Sequence, residues 1–108
     1  MNWIPLQSQE QLDEILRNSK EKTQLIFKHS TRCSVSLMAK DRLDRSALSD
    51  NISCYYLDLL AHRDISNKIA DLFSVQHESP QVLLIKNSIC TYDESHSGIR
   101  PDDIIANA

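Results

Sequence analysis

Three cysteines, Cys33, Cys54 and Cys90, are the side chains of this chain best suited to covalent chemistry, and they lie far apart in its 108 residues. Cys33 has the most informative surroundings. It follows a compact apolar run, Gln24 to His29, and the polar stretch Ser30-Thr31-Arg32, and it precedes a segment with helical spacing. A thiol at a helix start meets the unpaired N–H groups of the first turn and the positive end of the helix dipole. Both favour the thiolate, which is the nucleophilic form. Arg32 would add a permanent positive charge beside it. The plainer reading, a small buried hydrophobe, fits less well because the flanking residues are polar.

Cys33-Ser34-Val35-Ser36 has the spacing of a Cys-x-x-Cys redox motif, with serine in the place of the second cysteine. A dithiol site releases its substrate by internal attack, whereas a lone nucleophile stays in a mixed disulfide until another thiol arrives. Cys33 therefore implies one-thiol exchange. Ser36 is expected to offer a hydroxyl near the thiolate, or else to be a polar first-turn residue. The second landmark is His77-Glu78-Ser79-Pro80-Gln81, just ahead of Val82-Leu83-Leu84-Ile85. Proline at the mouth of a strand marks either an edge or a special turn, including one with a cis Ser79–Pro80 bond, and residue types alone leave both open. If this segment faces Cys33, the Ser79 backbone can pair with an extended substrate as an added strand. Cys54 alternates with Ile52 and Tyr56 and reads as core; Cys90 lies in the last hairpin, near an edge and partly exposed. A resolving role is expected of neither. His29 either orients the loop before Cys33 or is a satisfied core histidine, and the second reading is preferred.

The elements that must position these residues follow from periodicity. Trp3 to Leu6 reads as a short strand, and Ser8 with Gln11 forms a capping box for a helix with Leu12, Ile15 and Leu16 on its apolar face, ending near Lys20. Gln24 to His29 is the next strand. A helix from about Ser34 to Leu48 is expected to turn Val35, Met38, Ala39, Leu43 and Ala47 inward. Ile52 to Leu59 reads as a strand, and Ile65, Ile69, Leu72 and Phe73 as the inner face of a third helix. Val82 to Lys86 and Ile89 to Tyr92 fit an antiparallel hairpin about Asn87-Ser88. Pro101 opens a last helix through Ile104 and Ile105. A βαβ front half needs a parallel pair with a right-handed crossover, and a hairpin with a closing helix completes a mixed sheet flanked by helices on both faces. That is an α/β, thioredoxin-like arrangement in one domain over residues 1–108, a pattern that several small α/β folds share.

Composition narrows the function. The apolar fraction of 41% and charged fraction of 25% are those of an ordinary globular domain. A formal net charge of −3, with no run of more than two neighbouring Lys or Arg, argues against nucleic acid as a partner. The longest apolar run, Val82 to Ile85, is far too short to span a membrane, and the start MNWIPLQSQEQLDE lacks the features of a signal peptide. A cytoplasmic protein is therefore expected. The odd cysteine count argues against a structural disulfide framework, and the four scattered histidines against a metal site.

With these residues in hand, the sequence resembles the monothiol bacilliredoxin family of the bacillithiol system over nearly its whole length. Lys28-His29-Ser30-Thr31-Arg32-Cys33-Ser34-Val35-Ser36 is similar to the family's Lys-His-Ser and Cys-Pro-Ile-Ser run, and His77-Glu78-Ser79-Pro80-Gln81 to its cis-proline segment. Ser34 departs from the usual proline, freeing a backbone N–H. The resemblance implies an oxidoreductase that takes bacillithiol off cysteines of client proteins through a mixed disulfide on Cys33. It also implies a cis Ser79–Pro80 bond, bacillithiol as thiol co-substrate, and no tightly bound cofactor. Bacillithiol carries carboxylates, so Arg32 would make a charge-assisted contact unless it is simply solvated. Thr31, Ser34, Ser36, the Ser79 backbone and Pro80 would complete the substrate site. Thioredoxins carry a buried aspartate six residues before the nucleophile, where this chain has Phe27. Two other readings are a monothiol glutaredoxin-like iron–sulfur carrier, whose Cys-Gly-Phe-Ser is not matched by Ser34-Val35, and a non-catalytic interaction module on the same fold.

Overall fold

The computed structural model describes the whole chain, Met1–Ala108. Its elements are β1 (Trp3–Pro5), α1 (Gln9–Asn18), β2 (Gln24–His29), α2 (Ser34–Asp44), β3 (Ser53–Asp58), α3 (Arg63–Phe73), β4 (Gln81–Lys86), β5 (Ile89–Ser95) and α4 (Pro101–Asn107). Short 3-10 turns lie at Leu48–Asp50 and His96–Gly98. The five strands run in the order β1-β3-β2-β4-β5. β1, β3 and β2 are parallel, while β4 lies antiparallel to β2 and β5 antiparallel to β4. This is the expected thioredoxin-like sheet.

Local chemistry sets the element ends. Ser8 Oγ accepts the Gln11 N–H at 3.3 Å, and Gln11 Oε1 accepts the Gln7 N–H at 2.7 Å, a capping box whose return bond falls one residue early. Asn87 and Ser88 take positive φ values of 52° and 65°, as a two-residue hairpin turn requires. Neither is glycine, and the turn is held from outside. Ser19 at the end of α1 accepts the Asn87 N–H on its carbonyl and the Ser88 N–H on its hydroxyl, both at 2.9 Å.

β2 is central and buried along its whole length. Leu25 and Phe27 face α2 and α4 in a core with Ala39, Leu43, Leu48, Cys54, Val82, Leu84 and Ile104. Ile26 faces the opposite layer, where Leu12, Ile15, Leu57, Ile65, Ile69, Leu83 and Ile85 pack under α1 and α3. Each such side chain contributes roughly 1.5–3 kcal/mol by leaving water.

α2 differs from expectation in length and in facing. It stops at Asp44 rather than Leu48, because the Ser46 hydroxyl donates to the Leu43 carbonyl at 2.6 Å and the Ser46 N–H at 3.1 Å, closing the last turn. Its inner face is Ser36, Ala39 and Leu43. Val35 and Met38, expected inside, are 41% and 62% exposed, and Ala47 is also exposed. The inward pull on Ser36 described below rotates the helix away from the face that hydrophobicity alone favours.

Candidate active site

Cys33 is the N-cap of α2, with extended backbone (φ −108°, ψ 121°) and no capping bond from its side chain. Its N–H donates to the Ser30 carbonyl at 3.2 Å, and its carbonyl accepts the Leu37 N–H at 3.0 Å. The half-buried sulfur therefore stands at the helix terminus where first-turn N–H groups lack intrahelical partners. Thr31, Arg32 and Ser34 around it are exposed. Cys33 lines none of the chain's cavities.

Ser36 is a polar first-turn residue of α2, the second of the two expectations for it. It is fully buried, its hydroxyl 2.6 Å from His29 Nδ1 and accepting the Ser30 N–H at 3.0 Å. A group so occupied does not face solvent. His29 is also buried, its ring 5.4 Å from that of Phe27 and 5.3 Å from that of Tyr56. Burial first, then the Lys40 ammonium, holds its pKa below the ordinary histidine value. It is a satisfied core histidine that also grips the loop.

The Ser79–Pro80 peptide bond is cis, and Pro80 is buried. Pairing of Lys28 with Gln81 sets Pro80 beside the end of β2 from which the Cys33 loop leaves. The Pro80 carbonyl accepts the His96 N–H at 3.0 Å, whereas the Ser79 N–H and carbonyl bond to no other group of the chain. Glu78 Oε2 lies 3.7 Å from His96 Nε2 at the surface. No group of three or more His, Cys, Asp or Glu side chains is placed to hold a metal.

Sequence reasoning named Lys28 only within the family-like run and gave it no role, although a lysine following Leu25-Ile26-Phe27 in a strand was the available signal. It is 0% exposed, and Nζ donates to the Ser66 carbonyl at 3.1 Å and lies 3.2 Å from His77 Nδ1. No carboxylate pairs with it. These contacts tie β2 to α3 and to the segment that carries Pro80. Burial pushes the ammonium down from 10.5 to about 8. A base with a depressed native pKa costs stability below that value, and the cost fades as pH rises toward the unfolded pKa. Wild type should therefore gain on Lys28→Met between pH 8 and 10.5, by up to about 3 kcal/mol over the whole interval. Urea unfolding at several pH values measures this; a stability difference that stays constant would contradict it.

The other two thiols differ from Cys33. Cys54 is 1% exposed and burial pushes its thiol up to about 11. Cys90 is raised too, by burial first and by Asp93 in lesser part. Iodoacetamide should label Cys33 first and Cys54 much more slowly, because Cys54 is sealed in the core and its thiol is pushed up to about 11. Peptide mass mapping after timed labelling tests the order; equal labelling of Cys33 and Cys54 in the folded protein would refute it.

The family model described as monothiol bacilliredoxin BrxC matches residues 4–104. The chain belongs to the monothiol bacilliredoxin family. Among solved structures, this bacilliredoxin-family protein is 28% identical to a protein with a thioredoxin fold. That match has a TM-score of 0.86 and covers 97% of this chain and 92% of the other. It also superposes on the thioredoxin of Trypanosoma brucei brucei (TM-score 0.77, 13% identity, 97% and 92% covered) and on that of Malassezia sympodialis (0.72, 16%, 98% and 86%). The last two establish the fold alone. Together with the family, they make this a thioredoxin-fold redox protein of the bacilliredoxin kind. No helix is long and apolar enough to cross a membrane.

Proposed function

We propose that this protein is a monothiol oxidoreductase that removes bacillithiol from S-bacillithiolated client proteins in the cytoplasm. The observation that carries the reading is a half-buried thiol at the start of α2, flanked by exposed residues, with a buried serine where a second cysteine would resolve it. The Cys33 thiolate attacks the bacillithiol sulfur of the client disulfide. The client–bacillithiol S–S bond breaks, the client cysteine leaves as a thiolate that takes a proton from water, and bacillithiol remains on Cys33 as a new disulfide. With no neighbouring thiol, a second low-molecular-weight thiol must reduce this adduct.

The substrate contacts fall to the exposed groups. Arg32 is the charge-assisted partner for bacillithiol carboxylates, with Thr31 and the Ser34 N–H beside it. The unpaired Ser79 backbone, next to Pro80, is free to pair with an extended client segment. Ser36 supports the loop from beneath, while Val35, Leu37 and Met38, 41%, 49% and 62% exposed, give a client apolar surface on the next turn.

Intact mass spectrometry after incubation with a bacillithiolated client tests this. The client should lose the bacillithiol mass and Cys33 gain it. A client that keeps its adduct while this protein stays unmodified would reject the activity.

A further inference from the structure

We infer that His29 is a positioning residue for the Cys33 nucleophile, acting through the Ser36 hydroxyl on the loop that holds the sulfur. Ser30 and Ser36 stand three residues to either side of Cys33. The Ser30 N–H donates to Ser36 Oγ at 3.0 Å, and the Ser30 carbonyl accepts the Cys33 N–H at 3.2 Å. Ser36 thus closes a seven-residue ring with the nucleophile at its middle. What holds Ser36 in turn is His29, at 2.6 Å.

The hydrogen-bond inventory explains why a histidine suits this place. A serine hydroxyl has one proton and two lone pairs. With Ser30 occupying one lone pair, the buried proton still needs an acceptor, because leaving it unpaired costs about 1–3 kcal/mol. Neutral imidazole protonated on Nε2 supplies that acceptor at Nδ1. The hydroxyl proton is thereby directed into the protein and away from Cys33. The surroundings favour the neutral ring: burial and the Lys40 ammonium oppose protonation, and they outweigh Asp58, the Ser36 hydrogen bond and Asp44, which favour it. The neighbouring Phe27 and Tyr56 rings pack against the imidazole and restrict its plane. β2, the most buried strand, therefore sets the position of an exposed loop. Misplacing an attacking atom by about 1 Å can cost on the order of a hundredfold in rate.

This assignment rests on Cys33 being the attacking thiol of the activity proposed above, and its test uses no bacillithiol, so the two can fail separately. The rate of Cys33 attack on a small aromatic disulfide is measured against pH and concentration in Cys54→Ser/Cys90→Ser backgrounds. His29→Phe and Ser36→Ala are each expected to lower the maximal rate at least tenfold with little change in half-saturating disulfide. His29→Asn, which keeps a polar atom near the Nδ1 position, and Ser36→Thr, which keeps the hydroxyl, should recover much of that loss. The His29→Phe/Ser36→Ala double variant should be no slower than either single one, since the two residues act as a unit. A purely structural role would lower the unfolding midpoint without moving the rate–pH curve. Should His29→Phe fail to fold, the Ser36→Ala and Ser36→Thr pair decides. Rates within twofold of the parent for Ser36→Ala, or losses that multiply in the double variant, overturn the proposal.

Discussion

Cys33→Ser should leave no measurable thiol transfer, a loss on the order of 10³-fold or more, because a hydroxyl at neutral pH is not ionised and forms no mixed disulfide. The fold should hardly notice. The side chain is half-buried, makes no capping bond, and serine is itself a favoured N-cap, so the unfolding midpoint should stay level or rise slightly. The other two cysteines give the contrast. Cys54 is sealed in the core and Cys90 sits on the edge strand β5, its thiol 3.4 Å from the Tyr92 carbonyl. Cys54→Ser and Cys90→Ser should retain most of the activity. Client transfer followed by mass spectrometry on all three variants is the measurement. Loss in either of the latter, with the fold intact, would mean that a second thiol takes part and that the monothiol scheme is wrong.

Phe27→Ala should cost about 3–5 kcal/mol, near the upper end of what truncating one core side chain removes. Phe27 is 0% exposed at the middle of the sheet, its ring 5.5 Å from that of Trp3, 5.4 Å from His29 and 6.5 Å from Tyr56. Leu43 and Leu48 share its core with Val82, so β-strand and helix both lean on it. Neither a small residue nor its neighbours can refill that volume, since the cross-strand partners Tyr56 and Val82 are held in place by pairing with position 27. Thermal unfolding should fall by about 12 °C or more for a domain of this size. A loss under about 1 kcal/mol would mean that the core collapses onto the gap. Phe27 also bears on function, because the aromatic ring braces His29, and Cys33 reactivity should drop in the same variant.

The order of strands and helices, and the place of Cys33 at a helix start, were legible in the chain itself. Each rests on neighbours in sequence. Gln24 to His29 reads as a strand because apolar residues crowd it, and β2 has those bounds. Cys33 reads as a helix-start thiol because polar residues precede it and helical spacing follows. The Cys33-Ser34-Val35-Ser36 spacing excludes a local disulfide by covalent connectivity alone, and Pro80 restricts its own peptide bond whatever surrounds it.

What tertiary structure decided was the use of each side chain. α2 carries apolar residues on more than one face, so its period does not choose between burying Met38 and burying Ser36. The choice falls to His29, on a different element, whose buried nitrogen needs a partner that Ser36 supplies and Met38 cannot. Lys28 reads locally as a charge interrupting a strand, yet Ser66 and His77, 38 and 49 residues away, give its ammonium a buried seat. Partners so distant in sequence leave no periodic trace, because only the packing of α3 and the Pro80 segment against the sheet brings them within hydrogen-bond reach. Composition and spacing thus determine which groups can react, and the long-range pairing of buried polar atoms determines which of them face the solvent.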